Sequence, residues 1–304
     1  PAGPAITTAG LTRVFGSGAR ARTVVDRLDL VVPRGVVYGF LGPNGSGKST
    51  TMKMLLGLLE PTAGSVRLLG HDLTRAARGP LMARIGSMIE RPPGYGHLTG
   101  AENMRIVQRL LGLSDRQIER ALALVRLNEH RDKLVRAYSL GMKQRLGIAM
   151  ALAREPELLI LDEPTNGLDP AGIEEIRRLL VELAGRGVTV MVSSHLLDEI
   201  DRMAGVLGVL SAGRLVFQGT RAQLMERSVP DLLVVNPPRR GIGAELAQRV
   251  EDSGVARMLY SSCNPASLAA DLEAMPSLSV RRAQLFDMFP HTDHAEVLVE
   301  LVRP

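Results

Sequence analysis

Nine residues, Gly42-Pro43-Asn44-Gly45-Ser46-Gly47-Lys48-Ser49-Thr50, constrain this chain more than any other stretch. They read G-x-x-x-x-G-K-[ST], with apolar residues before them (36–41) and a helical pattern after them (52–59). A phosphate cradle needs that strand–loop–helix setting. Its glycines let the backbone curl until successive N–H groups point at phosphate oxygens, and the following helix adds a favourable dipole. Lys48 is placed to reach the β- and γ-phosphates, and the Ser49 hydroxyl to ligate Mg²⁺. A Gly-rich turn closing an ordinary βα unit would need neither the Lys nor the Ser. The stretch therefore predicts that the chain binds a nucleoside triphosphate.

Composition narrows the setting. A length of 304 residues leaves room for two domains, and 45% hydrophobic with 23% charged residues is ordinary for a soluble globular protein. No apolar run approaches the roughly 18 residues of a membrane span. No signal peptide is visible at the Pro1 end, which predicts a chain that is not exported. Cys263 is the single cysteine, excluding an internal disulfide framework and any Cys-rich metal site built by this chain alone. A reducing, cytosolic setting fits that count. The net charge of +5 permits an RNA or anionic-membrane partner without demanding one. Only 3% aromatic residues and no Trp argue against single-strand binding by base stacking.

Taken in order, residues 5–11, 24–32 and 36–41 read as β-strands, as do 64–69 and 85–90. Phe15 is a lone aromatic beside a Gly-Ser-Gly turn. From 100 to 153 the apolar period becomes helical, with helices expected over 102–111 and 115–127 and a capping box at Ser114 and Gln117. Leu158-Leu159-Ile160-Leu161 is apolar without alternation, the mark of a strand buried on both faces of a parallel sheet. It ends in Asp162 and Glu163, where α/β sheets place their ligands. Asp162 is the candidate Mg²⁺ ligand, and Glu163 the candidate general base for an attacking water. An acidic pair at a strand end can also be a helix cap, but here it lies downstream of a phosphate loop. A second buried strand over 188–194 runs into His195, positioned to bridge phosphate and water.

Three further segments make the pattern specific: Tyr138-Ser139-Leu140-Gly141-Met142-Lys143-Gln144-Arg145, Thr165-Asn166-Gly167-Leu168-Asp169, and His195 closing the next strand. With the phosphate loop, this order resembles the ATP-binding subunits of ABC transporters over about residues 5–227. The resemblance implies an α/β P-loop NTPase domain over 1–228, with a helical subdomain over about 95–155. It implies ATP and Mg²⁺ as ligands, ATP hydrolysis through Glu163, His195 and Lys48, and ATP held by residues 42–50. Phe15 then corresponds to the aromatic that stacks on adenine. Ser139 and Gly141 correspond to the signature that meets ATP bound to a second subunit, and Asp169 to the loop joining the two halves of a homodimer. A transmembrane permease is the implied partner, and the inner face of the cell membrane the implied location. The sequence departs from the family twice. The signature reads Tyr-Ser-Leu-Gly-Met, and Glu90 stands where a Gln is usual. A carboxylate there can still ligate Mg²⁺, and both departures resemble the subgroup that exports antibiotics such as bacitracin and lantibiotics.

Beyond residue 228 the chain restarts. A strand over 232–235 enters Asn236-Pro-Pro-Arg-Arg-Gly241. A helix over 244–251, a strand ending in Tyr260-Ser-Ser-Cys-Asn-Pro265 and a helix over 267–272 follow. Leu285-Phe-Asp-Met-Phe-Pro-His-Thr292 and a strand over 296–302 complete it. Residues 229–304 resemble the C-terminal part of the RNA 5-methyluridine methyltransferases, a partial Rossmann-like segment. The resemblance implies Asn236 near S-adenosylmethionine (SAM) and the target base, Cys263 as nucleophile and Glu296 as general base. Such chemistry needs a thiolate to add at carbon 6 of uracil before carbon 5 can accept a methyl group. The Gly-rich turn that would hold SAM is missing, so the tail is expected to be inactive. A SAM-dependent uracil-C5 methyltransferase acting on 23S rRNA or tRNA is the rival reading. Half a sheet leaves an open edge and apolar helix faces, so the tail is expected to be loosely ordered or aggregation-prone unless it docks on the ATPase. The change near 228–231 resembles a junction between unrelated proteins, whether an engineered chimera, a gene fusion or an assembly error.

Overall fold

The computed structural model describes residues 3–90, 92–201, 203–227, 231–286 and 296–303. The chain divides into two units, Pro1–Arg221 and Ala222–Pro304. In the first unit, β1 (Ile6–Phe15), β2 (Arg22–Leu28), β3 (Val31–Val32), β5 (Ala63–Leu68) and β6 (His71–Asp72) form an antiparallel sheet, ordered β2-β1-β5-β6 with β3 also on β1. The strand expected over 24–32 is thus two strands. A left-handed Arg27 (φ 47°) near the end of β2 marks the break. Phe15 is the last residue of β1 rather than lying beyond it.

The second sheet of this unit carries the phosphate loop. β4 (Val37–Leu41) lies inside the order β11-β10-β4-β9-β8-β7, built with β7 (Ile85–Met88), β8 (Leu158–Leu161), β9 (Thr189–Ser194), β10 (Val206–Ser211) and β11 (Arg214–Gly219). Its pairings are parallel except for β10 with β11, which is antiparallel. Every residue of β4, β8 and β9 is buried, which accounts for their unbroken apolar sequences. Phe40, Met52, Leu55, Ile160 and Met191 belong to one core cluster that joins these strands to α1 (Lys48–Leu55) and to the antiparallel sheet.

The helical stretch contains α3 (Gly100–Leu111), α4 (Asp115–Leu124) and α5 (Leu140–Leu152), after a short α2 (Arg78–Met82). Capping boxes start both α3, through Thr99 and Glu102, and α4, through Ser114 and Gln117. α5 packs on β7, and Gly147 allows this: a Cβ there would stand 2.5 Å from the Met88 sulfur. The unit is completed by α6 (Pro170–Gly185) and α7 (Leu197–Asp201), and α8 (Arg221–Arg227) begins at the boundary between units. Among the described residues, no helix is long and apolar enough to cross a membrane.

The second unit holds β12 (Leu233–Val235), α9 (Ala244–Asp252), β13 (Arg257–Ser262), α10 (Pro265–Glu273), β14 (Ser279–Phe286) and β15 (Glu296–Val302). Their sheet runs β12-β13-β15-β14, with β12 and β13 parallel and the other pairings antiparallel. Ala247, Val250, Met258, Tyr260, Leu268, Val299 and Leu301 make a core of its own. Asp271 closes it, accepting from the amides of Ile242 (2.8 Å) and Gly243 (3.1 Å) and from the Tyr260 hydroxyl. β14 went unrecognised in the sequence because all eight of its residues are exposed, so no buried face imprints an alternation. Residues 289–292 and 228–230, the Phe-Pro-His-Thr segment and most of the expected junction, lie outside the described residues.

Candidate functional site

The loop after β4 is shaped by glycine where side chains would collide. A Cβ on Gly42 would stand 2.4 Å from the Leu210 carbonyl oxygen and 2.6 Å from Ser46 Oγ. Gly47 caps α1 at φ 105°, and a Cβ there would meet the Val24 carbonyl oxygen at 2.7 Å. The loop is therefore held close to β2 and β10 while the first turn of α1 presents its free N–H groups. Lys48 is 5% exposed, and its ammonium is satisfied locally. Nζ donates to the carbonyls of Gly42 (2.7 Å) and Pro43 (3.3 Å) and lies 3.5 Å from Glu163 Oε1. A buried ammonium requires such partners.

β8 and β9 end side by side, so their last residues meet beside the loop. Glu163 adopts φ 46°, a left-handed conformation that costs a non-glycine residue energy and persists only where surroundings enforce it. Here the enforcement is visible. The Glu163 amide donates to Ser193 Oγ at 2.9 Å, and Ser193 Oγ donates to Asp162 Oδ1 at 2.6 Å. The Glu163 carboxylate gathers Lys48 on Oε1, with His195 Nδ1 (3.3 Å) and Asn166 Nδ2 (3.3 Å) on Oε2. A carboxylate flanked by an imidazole and an ammonium can take a proton from water and stabilise charge developing on a phosphoryl group.

A cavity of about 600 Å³ opens beside this group, lined by Ser49, Glu90, Asp162, Glu163 and Asn166, and by Leu140, Lys143 and Gln144 of α5. The donors suited to Mg²⁺ are present: the Ser49 hydroxyl and the Asp162 carboxylate are hard oxygen ligands. Among the described residues, no group of three or more His, Cys, Asp or Glu could hold a metal unaided. The pattern fits Mg²⁺, which binds through one or two protein oxygens plus substrate phosphates. Glu90 lines the cavity but is paired with Lys53 at 2.5 Å, and that hydrogen bond holds its carboxyl below the usual carboxylate range.

The remaining expected residues are placed as follows. Phe15 is 40% exposed, with the Arg13 guanidinium 4.6 Å above its ring. Ser139 is the N-cap of α5, accepting from the Met142 amide at 3.2 Å, and Gly141 sits in the first turn. Asp169 caps α6 through the Gly172 amide at 3.2 Å. Sequence reasoning missed Ser193, Asn166, Gln144 and Glu199. Ser193 and Ser194 carried a signal, since two hydroxyls ending a wholly buried apolar strand need partners.

In the second unit, Asn236 follows β12 directly and Cys263 follows β13, so both lie beyond the carboxyl ends of parallel strands. Register pairs Ser262 with Val297, which sets Glu296, the first residue of β15, at the same end of the sheet. The Glu296 carboxylate accepts from Ser261 Oγ. The three residues named from the resemblance thus lie at the same end of the sheet.

Comparison with known proteins gives two family matches: ABC transporter over residues 25–166, and tRNA (Uracil-5-)-methyltransferase over 218–304. The bacitracin transport ATP-binding protein BcrA of Enterococcus faecalis is 48% identical over 225 residues, covering 73% of this chain and 71% of the relative. The Nod factor export ATP-binding protein I of Ralstonia nicotianae is 36% identical over 308 residues, covering 95% of each. An alignment of that span reaches into the second unit. Among solved structures, CbiO1 of Clostridium perfringens, part of an ABC transporter complex, superposes with a TM-score of 0.66 at 26% identity, covering 74% of this chain and 94% of that one.

Proposed function

The chain belongs to the ATP-binding proteins of ABC transporters, and from that premise we propose that it binds and hydrolyses ATP to power a membrane exporter of antibiotic or peptide-like compounds. The substrate class rests on the bacitracin transport relative. The observation that carries hydrolysis is the convergence of Lys48 and His195 on the Glu163 carboxylate, beside Ser49 and Asp162. In this reading residues 42–50 hold the triphosphate, and the Phe15 face not taken by Arg13 stacks on adenine. Ser49 and Asp162 hold Mg²⁺, which when bound neutralises phosphate charge. Glu163 orients and deprotonates the attacking water. Lys48 leaves its carbonyl partners for the γ-phosphate, and His195 donates to the same phosphoryl group. Ser139 and Gly141 reach the nucleotide of a second copy, so the working form is a homodimer. A transmembrane permease, which the chain meets at the inner face of the cell membrane, completes the machine.

For residues 229–304, which lie within the second unit, we propose no methyl transfer. Asn236, Cys263 and Glu296 lie at one end of the sheet, but the Gly-rich turn that SAM would need is missing from the sequence. An ATP-binding relative also carries chain over the same span. One titration series tests both readings. ATP with Mg²⁺ is expected to bind the full chain and to be hydrolysed, and Glu163→Gln to reduce turnover about 100-fold or more while leaving binding intact. SAM is expected to give no heat by calorimetry on the same sample. Absence of Mg²⁺-dependent hydrolysis overturns the first proposal, and specific SAM binding overturns the second.

A further inference from the structure

Glu199 lies in α7, four residues beyond His195, and none of the roles above involves it. Its Oε2 accepts hydrogen bonds from two hydroxyls, Thr165 Oγ1 at 2.8 Å and Ser194 Oγ at 2.9 Å. Both donors are buried, Thr165 at 2% exposure and Ser194 at 1%. Ser194 has the Leu196 carbonyl as a second possible acceptor at 3.3 Å, and Glu199 at 2.9 Å is the better one. Buried hydroxyls without an acceptor are costly, and one carboxylate oxygen answers both.

The two hydroxyls belong to the two segments that frame the general base. Thr165 stands two residues after Glu163 and immediately before Asn166; Ser194 ends β9 immediately before His195. Asn166 Nδ2 and His195 Nδ1 each reach Glu163 Oε2 at 3.3 Å. So the residues adjoining Asn166 and His195 are tied to one another through Glu199, while Asn166 and His195 themselves converge on a single oxygen of Glu163. Glu163 is in a strained left-handed conformation, and such a residue keeps its aim only while its neighbours are fixed.

We propose that Glu199 is a positioning residue for ATP hydrolysis. It clamps Thr165 to Ser194 so that Asn166 and His195 together hold the Glu163 carboxylate towards the attacking water. The role rests on the hydrolytic reading above. It acts through the two segments and makes no contact with nucleotide, so it separates turnover from binding. It also links the loop leading to Asp169, which faces a second copy in that reading, to the imidazole. A shift of that loop on dimerisation would reach both partners of the base at once.

The test uses the full chain and its variants Glu199→Ala and Glu199→Gln, with three readouts: kcat and KM for ATP, ATP–Mg²⁺ affinity by calorimetry, and backbone hydrogen exchange. Misplacing a catalytic group by an ångström costs on the order of 100-fold. Glu199→Ala is therefore expected to lower kcat about 10- to 100-fold with KM and affinity within about twofold. Exchange should quicken over 163–169 and stay unchanged over 48–55. Glu199→Gln keeps an oxygen able to accept from both hydroxyls, so it should recover kcat to within about threefold of the parent. Combining Thr165→Val with Glu199→Ala should cost little beyond the larger single effect, because the two act as one unit. An unchanged kcat in Glu199→Ala, an equal fall in kcat and affinity, or a Gln variant as impaired as the Ala variant would each overturn the role. If the parent chain itself hydrolyses no ATP, the hydrolytic reading falls and takes this role with it. A parent that hydrolyses as fast as Glu199→Ala removes this role alone.

Discussion

Ser193→Ala removes one atom, and the structure gives that atom two duties. Ser193 is fully buried. Its hydroxyl donates to Asp162 Oδ1 at 2.6 Å and accepts from the Glu163 amide at 2.9 Å. Alanine preserves the packing of β9 but leaves the Asp162 carboxyl oxygen and the Glu163 amide without that partner. A hydrogen bond to a charged group contributes about 1.5–3 kcal/mol, and an orphaned buried donor costs about 1–3 kcal/mol. The two losses share one site and do not simply add, so a total of about 2–4 kcal/mol is expected. At about 2–4 °C per kcal/mol for a unit of this size, the thermal midpoint should fall by about 4–16 °C. Tyrosine fluorescence suits the measurement, since Tyr38, Tyr95 and Tyr138 belong to the first unit and only Tyr260 to the second. Turnover should fall further than stability suggests at a temperature where the variant is folded, because Glu163 loses the contact that fixes its left-handed backbone. A variant within about 0.5 kcal/mol of the parent, the usual range of a featureless surface change, refutes the energetic reasoning. A folded variant with parental kcat refutes the positional reasoning.

Two further outcomes follow from the packing. In the second unit Asp271→Ala strips acceptors from the Ile242 and Gly243 amides and from the Tyr260 hydroxyl; limited proteolysis should then cleave residues 231–286 much faster, with ATP hydrolysis by the first unit unchanged. In the first unit the Arg84 guanidinium, hydrogen-bonded to Glu157, holds that carboxyl below its ordinary value of 4.5, with Arg34 adding to the effect. A depressed carboxylate contributes stability above its unfolded value and loses it as pH falls through the folded one. The thermal midpoint of Glu157→Gln should therefore lie below the parent's at neutral pH and converge on it below about pH 4.5.

What the sequence disclosed and what it concealed follow one physical line. Segments whose environment is uniform were legible. Wholly buried β8 and β9 wrote unbroken apolar runs, the phosphate loop wrote its glycines, and the α4 capping box wrote Ser114 and Gln117 at the required spacing. Segments defined by long-range partners were not. The antiparallel β1–β5 pairing joins residues about fifty to sixty positions apart, and nothing local announces it. β14 exposes every residue and so carries no period.

The same line divides the site itself. Lys48, Ser49, Asp162, Glu163 and His195 could be named because each closes a motif of fixed spacing. Ser193, Thr165 and Glu199 could not, because their meaning lies in which oxygens they meet: Asp162 Oδ1 across two adjacent strands, and one Glu199 oxygen shared by segments thirty residues apart. Groups that perform chemistry must be of particular types, whereas groups that aim them need only a donor or acceptor in the right place. Many residues could supply either, so their choice leaves a fainter trace in the sequence. The aim is nonetheless what the strained Glu163 depends on, since its φ of 46° is held by Ser193 on the backbone and by Asn166 and His195 on the carboxylate. On the proposed reading, a sequence that kept every motif but lost those hydroxyls would still be read as an ATPase and is expected to hydrolyse ATP poorly.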